Sequence, residues 1–203
     1  QVAQTQPEKF AAIEGLYTSA DGAPMVLFAV PTTVPPTLHG TIEIPGLLSW
    51  LAFGDPKAPI KGINEFPPDE IPPLWLTFVS FHNMVVLGMF FILLTAVATY
   101  KIWRGSLWNS PKLLKVILWS IPLPLIACQL GWIAAEVGRQ PWIVYKLLRT
   151  SEAASITVSA GEILFSIILF GAVYLLLGTL YVYLLVKKVK HGPAPLTGKE
   201  AVA

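Results

Sequence analysis

The residues of this chain with the clearest chemical potential stand at the end of a long apolar segment. Glu136 lies just inside that end, Arg139 follows three positions later, and Pro141 and Trp142 come next. Pro141 disfavours helical conformation at the residue before it and donates no backbone hydrogen bond, so the helix is predicted to end there. Trp142 suits the boundary between water and lipid. A carboxylate inside a membrane segment is costly unless another group compensates it, which makes Glu136 a candidate functional residue.

Residue types alone leave three roles open for Glu136: a ligand of haem iron, a proton carrier, or the ion-pair partner of Arg139. Gln129, Trp132 and Glu136 share one helical stripe, which we expect to face a protein interior or a cofactor rather than lipid. The guanidinium of Arg139 suits carboxylates, including those of haem propionates. The alternative for Arg139 is an arginine that extends to the membrane interface.

A second polar interruption, at His82 and Met84, lies in another apolar segment. Two positions apart on a helix correspond to about 200° of rotation, so these side chains cannot bind the same metal side by side. A methionine thioether is a known axial ligand of haem, although core packing is the more common role for a lone Met84. For His82 two roles remain open, that of a hydrogen-bonded buried histidine and that of a metal ligand.

Other polar residues admit simpler interpretations. Glu162 is interpreted as a charge at a helix N-terminus. The interfacial anchors are Tyr145, Lys146 and Arg149. Cys128 is interpreted as a small buried hydrophobic residue. The sequence contains no glycine-rich phosphate loop, no cysteine and histidine cluster with metal-ligand spacing and no nucleophilic triad. Nothing in it indicates nucleic-acid binding.

The composition is that of an integral membrane protein. The chain has 203 residues, of which 54% are apolar and 13% charged, and its mean hydropathy is +0.63. Three segments are long enough to cross a bilayer, at residues 74–100, 113–136 and 161–186. Pro122 and Pro124 fall inside the second segment and are predicted to kink it.

Basic residues favour the cytoplasmic side of a membrane. The sequence therefore predicts that the 101–112 loop and the 187–203 tail are cytoplasmic, and that residues 1–73 and the 137–160 loop lie outside. The basic residues that carry this prediction are Lys101, Arg104, Lys112, Lys115, Lys187, Lys188 and Lys190.

Residues 1–73 form a polar, proline-rich extramembrane loop with eight acidic residues and three lysines, which we expect to be ordered only in part. Its opening at residues 8–15 is predicted to be a short helix closed by Gly15. Residues 44–53 are predicted to form an interfacial helix. The chain begins with Gln1 and shows no signal sequence, so we expect a processed product or, preferably, the C-terminal part of a longer chain.

Three stretches resemble one family. Residues 131–142 (GWIAAEVGRQPW), followed by LRT at 148–150, resemble subunit I of the cytochrome bd quinol oxidases, and the GRQPW core is long and rare. Residues 6–14 (QPEKFAAIE) and 81–88 (FHNMVVLG) match two further family stretches in the same order. The resemblance implies an all-α integral membrane fold, with three transmembrane helices and the preceding quinol loop, as the C-terminal portion of a larger helical bundle.

The resemblance also implies roles for individual residues. Lys9 assists quinol binding and Glu14 accepts a proton from quinol. Met84 is an axial iron ligand of the low-spin haem b, and Glu136 is the iron ligand of the high-spin haem b, close to haem d. Trp132 then lies near the haems.

Further cofactor-binding residues are implied at three positions. Arg139 neutralises haem propionates, and Trp142 is a further cofactor-binding residue. His82 stands where we expect an arginine that steadies the reduced low-spin haem, and a protonated histidine would substitute with a more pH-sensitive potential.

The implied activity is that of a terminal oxidase in the bacterial inner membrane. Quinol is oxidised at the outer face and oxygen undergoes four-electron reduction to water, which generates proton-motive force in aerobic respiration. The family's histidine ligands lie in an N-terminal half that this sequence does not contain, so the chain is a fragment or a split subunit. The implied partners are the N-terminal half of subunit I, subunit II and membrane lipid. Whether a small subunit also belongs to the complex is left open. The quinol loop here is the short form of the family. That form also occurs in cyanide-insensitive members, which sometimes lack haem d, so either haem d or a further haem b remains open at the oxygen site.

Two other functions compete with the oxidase. One is a non-catalytic membrane subunit or assembly factor that keeps haem-facing surfaces without turnover. The other is a transporter fragment, for which Glu136, Glu162 and His82 are the only support.

Overall fold

The computed structural model describes residues 2–33, 36–153 and 157–192. The chain divides into two units, Gln1–Ala153 and Ala154–Ala203. The first unit contains a folded extramembrane segment, two long helical elements and a small hairpin. The second contains one long helix.

The chain opens with two short helices, α1 (Val2–Thr5) and α2 (Pro7–Glu14). Pro7 occupies the first turn of α2, where a missing N–H is tolerated. Gly15 ends the helix in the left-handed conformation, with φ of 67°, and donates its N–H to the carbonyl of Ala11. The predicted helix and its glycine terminator are therefore confirmed.

The expectation that residues 1–73 are only partly ordered is wrong for the described residues. Strand β1 (Ala20–Asp21) pairs with β4 (Pro59–Ile60), and β2 (Met25–Thr33) pairs with β3 (Pro36–Ile44), both antiparallel. Helix α3 (Leu47–Phe53) follows β3. The interfacial helix predicted at 44–53 thus begins later, because Ile44 completes a strand.

A buried serine explains part of this order. The Ser49 side chain is fully buried; its hydroxyl accepts a hydrogen bond from the Ala23 backbone N–H and donates one to the Ala58 carbonyl, each at 2.8 Å. Buried backbone groups must find such partners. Ala23 and Leu48 belong to the small apolar core beside it.

Helix α4 (Leu74–Trp103) packs against α6 (Leu123–Val137), which follows the short helix α5 (Pro111–Ser120). The α5–α6 pair is bent by 41° at the break before Leu123, which confirms the kink predicted from Pro122 and Pro124. Cys128, predicted to be buried, is exposed on α6.

The loop predicted at 137–160 contains a small hairpin, formed by β5 (Trp142–Val144) and β6 (Leu148–Arg149). In the second unit, α7 (Ala160–His191) begins with a capping box. Ser159 accepts a hydrogen bond from the Glu162 N–H, and the Glu162 carboxylate accepts one from the Ser159 N–H. Glu162 is thus a helix N-terminal charge, as predicted.

Length and apolar composition qualify α4 and α7 as membrane-spanning helices, and the bent α5–α6 pair qualifies as a third if it is counted as one span. The prediction of a helical membrane protein is confirmed, with two or three membrane-spanning segments. The small two-stranded sheets are an addition to the predicted all-α class, and they lie outside the long helices.

Candidate functional site

The central feature of the site is the contact between α2 and the C-terminal end of α6. Lys9 Nζ donates a hydrogen bond to the Ala135 carbonyl at 2.9 Å, which joins residues 126 positions apart. Gly138 permits this approach, because a Cβ there would lie 3.3 Å from Lys9 Cε and 3.1 Å from Thr77 Cγ2. A lysine at the carbonyl end of a helix is also favoured by the helix dipole. The structure thereby brings a residue of the extramembrane segment to the GRQPW stretch.

Lys9, Arg139 and Glu136 form a small charged cluster at this junction. The pKa of Lys9 is lowered, first by partial burial and second by repulsion from Arg139, while the Glu136 carboxylate acts in the opposite direction. Arg139 and Glu136 form an ion pair with 3.8 Å between Nη2 and Oε1, and both side chains are about half exposed. The ion pair with Arg139 was one of the three roles left open for Glu136; it is present, but the pair is loose and open to another partner.

Glu14 lies in a different environment at the end of α2. Its side chain is buried, and its Oε2 atom has no hydrogen-bond partner among the described residues. Burial raises the pKa of this carboxyl from 4.5 to about 7. Lys9 and Glu14 are five positions apart, which places them about 7.5 Å apart along the helix axis and on different faces. The two predicted quinol residues therefore belong to separate surroundings.

Met84 and His82 point in different directions, as their spacing predicts. Met84 Sδ packs against α6, where a Cβ on Gly131 would come within 2.7 Å of it. His82 Nδ1 lies 3.1 Å from the Phe78 carbonyl, and Nε2 lies 3.0 Å from the Val26 carbonyl in β2. Both ring nitrogens face protein carbonyls, which is the arrangement of a hydrogen-bonded histidine rather than of a metal ligand.

The stripe of Gln129, Trp132 and Glu136 is exposed along α6, with Trp132 64% accessible. We expected this stripe to face a protein interior or a cofactor. Among the described residues of the first unit none covers it, because α4 packs on another side of α6. A polar and aromatic stripe in a membrane segment needs a further protein surface or a bound group over it.

The β5–β6 hairpin is tied to α2 by Glu8. The Tyr145 hydroxyl donates a hydrogen bond to Glu8 Oε2 at 2.6 Å. Lys146 Nζ lies 3.5 Å from Glu8 Oε1 and 3.8 Å from Glu70 Oε2. Burial, followed by the bond to Glu8, raises the pKa of Tyr145. Tyr145 and Lys146, predicted to be interfacial anchors, both contact acidic side chains of the extramembrane segment.

Arg149 makes a parallel connection. Its Nη2 donates to Asp69 Oδ2 at 2.7 Å, and this hydrogen bond is the main reason that the pKa of Asp69 is lowered. The guanidinium also lies 5.0 Å from the centre of the Trp142 ring. Trp142 Nε1 is buried and has no acceptor among the described residues. Trp142 thus packs within the hairpin beside Arg149.

Sequence reasoning missed Glu8. A signal for it was present, because Glu8 shares a helical face with Ala11 and Ala12 at the i+3 and i+4 positions. All three are at most 2% exposed. A carboxylate on the buried face of a short helix should have been a candidate.

The comparisons with known proteins agree with this architecture. The family model for cytochrome bd terminal oxidase subunit I matches residues 1–193. The chain is 37% identical to cytochrome bd ubiquinol oxidase subunit 1 of Bacillus subtilis over 199 residues, and 38% identical to a putative cytochrome bd menaquinol oxidase subunit I of the same organism over 191 residues. Each match covers 93% of this chain.

A solved structure gives the same result. The bd oxidase of Geobacillus thermodenitrificans matches with a TM-score of 0.75 and 33% identity over 95% of this chain. The chain spans 42% of the length of each Bacillus subtilis relative and 44% of the Geobacillus chain. The family match over nearly the whole chain, together with the helix and GRQPW architecture, identifies the chain as a member of the cytochrome bd terminal oxidase subunit I family.

Proposed function

We propose that this chain is the C-terminal part of the haem-bearing subunit of a bd-type quinol oxidase in the bacterial inner membrane. It oxidises quinol and reduces oxygen to water only together with the N-terminal half of subunit I and with subunit II. The observation that carries this proposal is the hydrogen bond between Lys9 and the Ala135 carbonyl. It joins the helix that resembles the quinol loop to the helix that carries Glu136.

The donor set fits haem. Met84 offers a thioether and Glu136 a carboxylate, while the Arg139 guanidinium suits propionates. The open ion pair of Glu136, at 3.8 Å, leaves that carboxylate free to take another partner. The uncovered stripe with Trp132 supplies a polar and aromatic surface for a planar group. A bound haem would supply one-electron chemistry and an iron site for oxygen.

The chain's own residues act on substrate and protons. Quinol oxidation releases protons, and Glu14 is suited to accept one, because a carboxyl with a pKa of about 7 exchanges protons near neutral pH. Lys9 stabilises negative charge that develops on the quinol oxygen. Arg139 adds a second positive charge at this point, while burial and then repulsion from Arg139 lower the pKa of Lys9.

Orientation follows from the charge pattern. The extramembrane segment and the β5–β6 hairpin lie at the outer side, and the tail after α7 lies in the cytoplasm. The haem set comprises low-spin and high-spin haem b with haem d or a further haem b. Quinol then enters from the outer half of the membrane.

The test uses the purified native complex. We expect Glu136→Gln and Met84→Leu each to alter the reduced-minus-oxidised haem spectrum and to abolish most quinol-driven oxygen consumption. The matched controls are Glu152→Gln in the outer segment and Met89→Leu on the exposed face of α4, 62% accessible. A wild-type complex without haem would favour the non-catalytic subunit or the transporter. Unchanged spectra and rates in both variants would refute the proposed ligands.

A further inference from the structure

A cavity of about 320 Å³ lies among the membrane helices, where α4 faces the break between α5 and α6. Helix α6 packs against α4, whereas α5 turns away from it at the 41° bend, and the cavity occupies the space that this bend leaves. Lys115 is the charged residue among its walls. The lining residues are Phe90, Lys115, Val116, Trp119, Ser120 and Leu123.

The face of α5 beside this cavity is basic and aromatic. Lys112, Lys115 and Trp119 stand at the i, i+3 and i+7 positions of the helix, so they share one face. All three are exposed, and Trp119 is 78% accessible. A lysine places its hydrocarbon stem along apolar surface and extends its ammonium to water, and tryptophan favours the same boundary. This face therefore suits the depth at which lipid headgroups lie.

The positive charge of this region has no acidic counterpart in the chain nearby. The sequence contains no Asp or Glu between Glu70 and Glu136. None of the basic residues of this stretch forms an ion pair with a described residue. Lys112 and Lys115 thus present two uncompensated charges, three positions apart, to whatever covers the face. An anionic group there would be stabilised by both.

The location favours a phospholipid as the source of that anion. An acidic side chain of another protein would have to enter the membrane, which is costly. A phospholipid carries its phosphate at the boundary already, and basic pockets between membrane helices are suited to anionic headgroups. The lysine pair favours an anionic headgroup over a zwitterionic one, because the cationic part of the latter is repelled.

The cavity accounts for the apolar part of such a ligand. Val116 and Trp119 are 44% and 78% exposed, and together with Phe90 they form an apolar surface that begins next to Lys115. An acyl chain that follows a phosphate at Lys115 would bury this surface. The volume lies near the lower end for small-molecule sites, which suits one acyl chain.

We infer that this face of α5 and the adjacent cavity bind one anionic phospholipid, with its phosphate on Lys112 and Lys115 and one acyl chain against Phe90 and Trp119. The lipid fills the space that the bend between α5 and α6 leaves beside α4. The inference goes beyond the proposed function, because it requires neither quinol nor haem.

The experiment photolabels the purified complex with phosphatidylglycerol that carries a diazirine in its acyl chain, and the labelled peptides are mapped by mass spectrometry. We expect label on Phe90 and on residues 115–123. Unlabelled dioleoylphosphatidylglycerol should compete about thirtyfold more strongly than dioleoylphosphatidylcholine, because each of the two lysines favours an anionic lipid roughly fivefold.

Two kinds of variant separate headgroup from chain. Lys112→Gln combined with Lys115→Gln should make the two competitors equally effective, and Lys112→Arg combined with Lys115→Arg should restore the preference. Val116→Trp fills the cavity and should remove the label at these positions. The matched control is Lys57→Gln combined with Lys61→Gln, which removes the same charge from exposed positions of the extramembrane segment and should leave the preference unchanged.

Assembly of each variant is checked by size-exclusion chromatography. If the glutamine variant does not assemble, the wild-type preference and Val116→Trp still decide the result. Equal competition by the two lipids in the wild-type complex would overturn the inference. Label that persists unchanged in Val116→Trp would also overturn it, as would a wild-type complex in which residues 115–123 take no label because another protein chain covers them.

Discussion

Replacing Glu14 with glutamine tests the electrostatic reasoning most directly. The carboxyl is buried, and one of its oxygens has no donor among the described residues. Burial raises its pKa from 4.5 to about 7. Glutamine has nearly the same shape and cannot ionise, so Glu14→Gln removes the titration while it preserves the packing.

The magnitude follows from the two pKa values. At about 1.4 kcal/mol per pKa unit, ionising Glu14 in the folded protein costs roughly 3 kcal/mol more than in the unfolded chain. The folded protein binds the proton more tightly, so this contribution to stability is fully present below pH 4.5 and is lost as the pH rises through about 7. The variant should therefore match the wild type at pH 4 and exceed it by up to roughly 3 kcal/mol at pH 8.

Two measurements on the complex check this prediction. Infrared difference spectra between wild type and variant should contain a protonated carboxyl band that titrates with a midpoint near 7. The unfolding temperature of the wild type should fall from pH 5 to pH 8 more steeply than that of Glu14→Gln. Glu43→Gln should retain the wild-type slope because Glu43 is exposed. A band that titrates near 4.5, or equal slopes in wild type and variant, would refute the reasoning.

Three further predictions concern packing. Ser49→Ala leaves buried backbone groups without their partner and should lower the stability of the extramembrane segment by about 1–3 kcal/mol, measured by hydrogen exchange. Gly131→Ala places a Cβ 2.7 Å from Met84 Sδ and should shift the low-spin haem band in reduced spectra, whereas an unchanged band would exclude Met84 as its ligand. Gly62→Ala places a Cβ against the Thr18 backbone and should make the extramembrane segment sensitive to limited proteolysis in intact membranes.

Much of the membrane architecture was determined by the sequence alone. Continuous apolar composition predicts the long helices, and Pro122 and Pro124 predict the bend between α5 and α6, because proline removes a local hydrogen bond. The helix closed by Gly15 and the N-terminal charge at Glu162 were likewise predictable. Each of these features depends on residues within one or two helical turns.

The site depended on tertiary structure. Lys9 reaches the Ala135 carbonyl, Tyr145 reaches Glu8, and His82 reaches the Val26 carbonyl, across 126, 137 and 56 positions of sequence. No local pattern encodes such contacts, because they arise only when α2, α4, α6 and the β5–β6 hairpin pack together. Packing also shifted the pKa values of Glu14 and Lys9, because burial is the largest cause of each shift. The residue types alone determined which chemical groups the site contains. Packing determined the partners of these groups, because hydrogen bonds and desolvation act over a few ångströms of space regardless of sequence separation.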